Sequence, residues 1–477
     1  MGALGRCQSL CAMQRNSLAV PHGVPVVSSA LPDHGSAQMG FFWYLLFLTI
    51  TFVRPGAFAP ALAAYRPVAA VMLIGLLSVL PYTLRRKQWP ARPAAFANLG
   101  LLVLMGGISV AANGWLGGGL RAVADFLPAA LAGALTMLNL TTWRRLRIAG
   151  WIIVCCMTGL TTLSLDSYYT GYDAHRYVIE DGGPIATADL KSFVPAEVAR
   201  QGDLIRIRSV GIFADPNDFS QMMLVALALV WGLRWRKGKL RWLFTFALPG
   251  AILLWGMYLS HSRGALLGLG MATIAAFWNS LGPTRSAILL GLGGLLAKAV
   301  QFSGGRAISD AGESAAHRID YWNLGLHLTA SHPLFGIGMD NFHNLNTQTG
   351  QTAHNTFLLC AAELGLFGLF LFVSLLVFSF QSVAEVIRSS SEKTEVQRMA
   401  TGLRAALAGF LTCAWFLSRT YDPVLYILLG ICMAASPAAG RIVSDRRKWI
   451  LSSALWSFGI LVLLYAFVIG QRLAGHS

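Results

Sequence analysis

Charge is scarce in this chain, and acidic charge is scarcest. Only 12% of its 477 residues are charged, with 21 Asp and Glu against 37 Lys and Arg. A soluble protein would carry roughly a quarter. With 55% hydrophobic residues, the composition excludes a soluble globular fold and points to a polytopic membrane protein. The +16 net charge does not imply a nucleic-acid partner, because the basic residues cluster in short segments between apolar runs, as in cytoplasmic loops. Seven cysteines, an odd number, give no disulfide framework; Cys155, Cys156, Cys360 and Cys413 lie in apolar spans. No Cys/His spacing suggests structural zinc and no nucleotide-binding glycine loop occurs, so neither a metal nor a cofactor is expected. No internal repeat of fixed period and no low-complexity tract is visible.

Residues 1–38 contain Pro21, Pro25 and Pro32 and no continuous apolar core. They do not read as a secretory signal peptide, and a disordered cytoplasmic tail is expected there. Met39, directly before FFWYLLFLTI, is a rival start. Residues 39–477 read as one all-α transmembrane domain. Apolar runs place spans near 41–53, 61–84, 94–112, 120–138, 148–165, 218–233, 242–260, 265–279, 286–301, 354–380, 403–418, 424–438 and 449–468. Several fall short of the roughly 20 residues that cross hydrocarbon upright, so about 12–13 transmembrane helices are expected. With the N-terminus inside, Arg85 to Lys87, Arg144 to Arg147, Arg234 to Arg241 and Arg441 to Lys448 all fall on the cytoplasmic side, as the charge rule demands. The same map leaves two long polar segments outside, 166–217 and 302–353, longer than ordinary connections.

The last of these segments ends at the stretch HNTFLLCAAELGLFGLFLF, which opens on His354 and Asn355 and carries Glu363 inside an apolar run. A histidine in a helix's first turn feels the positive end of the macrodipole, which favours the neutral form that accepts a proton. The plainer role for His354 and Asn355 is to satisfy free amides at a helix start. Glu363, nine residues on, lies about half a turn round the axis from His354 and is expected to pair with an arginine of another span. Gly365 and Gly368 would allow close helix approach. Between Arg318 and Leu328, Ile319, Trp322 and Leu326 form an apolar face suited to the membrane interface.

His354-Asn355, nine residues, Gly365, two residues and Gly368 resembles the His-Asn/Ser/Gln…Gly-x-x-Gly motif of bacterial O-antigen ligases. The upstream HPLFGIGMDNF resembles a loop of the wider O-antigen ligase and polymerase family. RIRSVGIFADPNDFS is similar to a family stretch in which an arginine precedes Gly-x-Phe-x-x-Pro-Asn, a role for which Arg206 and Arg208 compete here. SHSRG matches the family's Ser-Arg-Gly and singles out Arg263; His261 beside it lacks such context and reads as structural. Arg206, Arg208, Arg263, Arg318 and Arg419 all map to the outer face, against the charge rule, where guanidinium groups would suit a diphosphate. The competing reading pairs each with a nearby acid such as Asp215, Asp320 or Asp422. Asp215-Pro216 reads as an N-cap with proline at the first helical position. Arg121 and Asp125, four apart, read as a mutual ion pair.

The resemblance implies a GT-C-like membrane glycosyltransferase of the bacterial inner membrane, acting at the periplasmic face by a metal-independent, inverting transfer. Its donor would be an undecaprenyl-diphosphate-linked glycan and its acceptor a hydroxyl of a lipid A-core, another glycan or a protein, among membrane lipids and polysaccharide assembly proteins. His354, Arg208 and Arg263 are then the expected catalytic residues, and Arg206, Arg318, Asn355, Glu363 and Arg419 the substrate-binding ones. An O-antigen or exopolysaccharide polymerase is the near alternative. A transporter, suggested by Glu363 and Asp125 within apolar runs, is the distant one.

Overall fold

The computed structural model describes residues 35–86, 93–180, 194–201, 203–234, 238–299, 308–347, 350–389, 395–438 and 446–473. The expected tail, up to residue 34, lies outside them, as do residues 181–193, 202, 302–307 and 348–349 of the two long outer segments. The chain is an all-α polytopic membrane protein. Among the described residues seven helices are long and apolar enough to cross a membrane, and three shorter apolar helices accompany them. The small departure from helix is an antiparallel strand pair, Val178–Glu180 with Ile205–Ile207, inside the expected outer segment 166–217.

Small residues bring the helices together, because between apolar helices in lipid it is close packing, not burial from water, that holds a bundle. A Cβ on Gly232 would meet Gly402 Cα at 3.2 Å, joining helix Pro216–Leu233 to Glu395–Ala414. On Gly268 it would stand 3.0 Å from Gly409 O, joining Arg263–Ala299 to that same helix. Gly133 and Gly430 seat Leu116–Asn139 against Pro423–Ala438 in the same way. Side-chain amides add cross-links that lipid cannot compete for: Asn98 donates to Leu371 O at 3.0 Å and Gln221 to Phe410 O at 2.9 Å.

Three expectations need correction. The run 61–84 is not one span: Pro55–Phe58 and Pro60–Ala63 are two short helices, and the long helix starts at Pro67. Each begins on a proline, whose fixed φ suits a first helical position. The run 354–380 is interrupted at Gly365 (φ 72°, ψ −175°) and continues to Ser389. Finally, the Trp322 face of helix Ile308–Ser331 does not lie against lipid. Trp322 is 2% exposed and packs on Trp415, Phe416 and Phe467 of the chain's own helices. The turn expected between 279 and 286 is present, with the helix Arg263–Ala299 broken at Gly282.

Candidate functional site

Gly365 explains how His354 is held. The interruption leaves a short buried half-helix, Thr356 to Leu364, ahead of the longer one. The freed backbone groups are met by the HPLFGIG loop: Leu366 N donates to Pro333 O, Ile337 N to Ala362 O and Gly338 N to Glu363 O, at 2.8 to 3.2 Å. Loop and break interlock so closely that a Cβ on Gly336 would lie 2.3 Å from Glu363 backbone and one on Gly365 2.3 Å from Leu334 O. Both glycines have positive φ, so no other residue fits either place. Gly365 therefore serves a loop, not the helix–helix approach expected of it.

Glu363 is the loop's other anchor. Its carboxylate accepts from Phe342 N at 3.1 Å and from Tyr421 Oη at 2.6 Å. The expected arginine partner is replaced by a tyrosine and an amide, and Glu363 is 1% exposed. In this fold it anchors the loop from within. Asn355, also expected to bind substrate, is fully buried. Its Oδ1 accepts from Phe357 N and Leu358 N at 3.0 and 2.9 Å while its Nδ2 donates to Trp415 O. That is an N-cap.

His354 precedes this cap and so stands outside the helix, with φ 45°. Its Nε2 lies 2.9 Å from Gln351 Oε1, and its ring lies 6.0 Å from that of Tyr321. Burial, and next the positive charge of Arg318, hold the imidazole below its usual pKa; Asp215 acts the other way. The neutral form is favoured as expected from the sequence, but for reasons other than the helix dipole. Tyr321 and Gln351 were not singled out in the sequence, since no spacing ties them to a histidine that only the folded loop brings near.

The arginines divide into two kinds. Arg206 is 8% exposed; its Nε donates to Ser260 O at 2.9 Å and an Nη to Asn217 Oδ1 at 3.1 Å. It ties the strand Ile205–Ile207 to the turn before Arg263 and to the first turn of helix Pro216–Leu233. Arg419 forms ion pairs with Asp218 and with Asp422 (2.8 Å) and also donates to Gln221 Oε1 at 3.1 Å. Both are struts. Asp215 caps its helix as expected, accepting from Asn217 N and Asp218 N. Arg121 and Asp125 do face each other, 3.7 Å apart and well exposed, a geometry worth little in energy.

Arg208 differs. Backbone carbonyls of His175 (2.8 Å) and Ala214 (3.4 Å) orient its guanidinium, and its buried Nε has no hydrogen-bond partner among the described residues. Burial lowers its pKa, while Asp215 raises it; the group stays cationic in either case. Asp215 is thus felt by both Arg208 and His354, which places the three in one electrostatic neighbourhood with Arg318. Arg263 is exposed at the first position of its helix, and no ion pair is formed by it among the described residues. The neighbouring Gly264 accepts from Cys413 Sγ, at the same end of the bundle as Phe416 and Trp322. His261 packs on Tyr258 with φ 49°.

The segments 205–218, 260–263, 351–356 and 415–422 therefore converge, stitched by Arg206, Arg419, Asn355 and Thr356, whose hydroxyl donates to Leu417 O. Residues 248–373 match the O-antigen ligase family. That stretch is similar to the O-antigen ligase and polymerase family, which supports the resemblance seen in the sequence. The matched stretch, roughly a quarter of the chain, includes Arg263, Arg318, the HPLFGIG loop, His354 and Gly365, and excludes Arg208 and Arg419. No curated protein matches the chain. Family and fold together make it a multi-pass membrane protein with a glycan ligase or polymerase role.

Proposed function

We propose that this protein transfers a glycan from undecaprenyl diphosphate to an acceptor hydroxyl, at the outer face of the bacterial inner membrane, in the manner of an O-antigen ligase. The observation that carries this reading is a neutral-favoured histidine under the positive charge of Arg318, with Asp215 acting on both that histidine and Arg208. His354 takes the proton from the acceptor hydroxyl as its oxygen forms the new bond to the anomeric carbon. The bond from that carbon to the diphosphate breaks, and the electron pair leaves on the diphosphate. Arg208, Arg263 and Arg318 meet the charge that develops there. A single displacement of this kind inverts the anomeric centre and calls on no metal.

With His354 Nε2–H donated to the amide oxygen of Gln351, Nδ1 is the nitrogen that acts as base. An apolar groove of about 840 Å³ runs past Phe357, Trp415 and Phe416 towards Leu267, Met271 and Trp456. It supports a donor held by its isoprenoid chain with the diphosphate at the His354 end. The test is the chain-length profile of undecaprenyl-linked glycan in native cells carrying wild type or His354→Ala at matched membrane levels. A base of this kind is worth about 10²- to 10⁴-fold in rate, so long lipid-linked chains should accumulate in the variant. Accumulation of single repeat units instead would make the protein a polymerase. An unchanged profile would remove His354 from the chemistry.

A further inference from the structure

A second pair of arginines lies away from His354. Arg54 and Arg66 bracket the elbow PGAFAPALAAY that joins the first two long helices, and each directly precedes a proline that starts a helix. Both have backbone in the left-handed region, φ 51° and 45°. That conformation is costly for a residue with a Cβ, by about 1–3 kcal/mol, and persists where the surroundings enforce it, often at binding sites. For Arg54 the enforcing surroundings are visible. Its side-chain stem lies against Gly211, so close that a Cβ there would be 2.9 Å from Arg54 Cγ.

Both arginines line one cavity of about 500 Å³, whose wall also includes Thr51, Pro128, Gly211 and Pro423. Among the described residues neither guanidinium makes an ion pair or hydrogen bond. Two unneutralised cations on one cavity call for an anion, and paired guanidinium groups suit phosphate oxygens best. The elbow between them exposes Phe58, Leu62 and Tyr65, and the helix after it exposes Leu73, Ile74 and Leu77. In a membrane protein that apolar flank faces acyl chains, with the cations at headgroup level. We propose that the cavity at the elbow binds the phosphate of a lipid headgroup, with Arg54 and Arg66 as its ligands. Gly211 and Pro423 in its wall belong to the segments that carry Arg208 and Asp422, so the bound headgroup lies alongside the convergent loops. The site does not depend on the transfer reading, because binding is measured without turnover.

The test is native mass spectrometry of the purified full-length protein in nonionic detergent, titrated with phosphatidic acid. Wild type should retain a phosphatidic acid molecule that Arg54→Gln, Arg66→Gln protein loses, with affinity falling about tenfold per charge-assisted contact removed. Ala57→Phe, which fills the cavity and keeps both arginines, should lose it too, and Arg121→Gln should not. Thermal midpoints of all variants, read in parallel, separate loss of binding from loss of fold. Equal retention by wild type and the double arginine variant would overturn the site. Displacement by inorganic phosphate at equal concentration would overturn the lipid assignment and leave the cavity to the free ion.

Discussion

Replacing Gly365 with alanine should unseat the half-helix that positions His354. Two costs add. The native backbone, φ 72° and ψ −175°, lies in a region open essentially to glycine alone, and holding another residue there costs about 1–3 kcal/mol. The new Cβ would also lie 2.3 Å from Leu334 O, 2.5 Å from Leu334 C and 2.7 Å from Phe335 N. These are backbone atoms that no rotamer change can move, so relief needs the loop to shift, at about 1–3 kcal/mol more. The sum, about 2–6 kcal/mol, is a large share of the ~5–15 kcal/mol that stabilises a typical native state. A displaced loop would also break the bonds from Gly338 N to Glu363 O and from Phe342 N to the Glu363 carboxylate. The assay is the thermal midpoint of purified protein in detergent, paired with glycan transfer in cells. Gly100→Ala and Gly459→Ala are the controls, because a Cβ at either meets nothing within 4 Å. In those helices alanine should be neutral or stabilising by up to about 1 kcal/mol. A Gly365→Ala protein with the wild-type midpoint and normal yield would refute the interlock as described.

Two further outcomes follow from the same geometry. Under the proposed mechanism His354 must be neutral to act as base, so activity should be lost as pH falls through its pKa, which burial and then Arg318 hold below the ordinary histidine value. Arg318→Gln removes the nearby cation and should move the acid limb of the pH–activity profile upward; an unmoved limb would show that Arg318 does not act on His354. Arg206→Ala and Arg419→Ala should each lower the thermal midpoint, the first by stranding a buried carbonyl and amide oxygen at about 1–3 kcal/mol, the second by stranding two carboxylates at about 3 kcal/mol. Arg208→Ala and Arg263→Ala should keep the midpoint and lose transfer instead. If all four variants behave alike, the division into struts and free cations is wrong.

The sequence alone determined the solvent and the class, an all-α membrane protein. Apolar runs follow from the lipid around the bundle, a constraint each spanning segment must satisfy by itself. Capping was equally local, which is why Asp215-Pro216 could be read directly. The helix break at Gly365 was out of reach, because an apolar run around a glycine reads as unbroken until the loop that meets its free carbonyls is in place. The pairing of charges was decided by the tertiary structure as well. Glu363 meets Tyr421, and Arg419 meets Asp218, across separations in sequence that carry no periodic signal. Arg206 and Arg208 are two apart and chemically identical, and only the neighbours distinguish them. One guanidinium is enclosed by Ser260 and Asn217, while the other is steered by two carbonyls beside His354's own acidic neighbour, Asp215. Charge is inexpensive to place in a sequence and costly to bury in a fold, so its duty is fixed by what the fold packs around it.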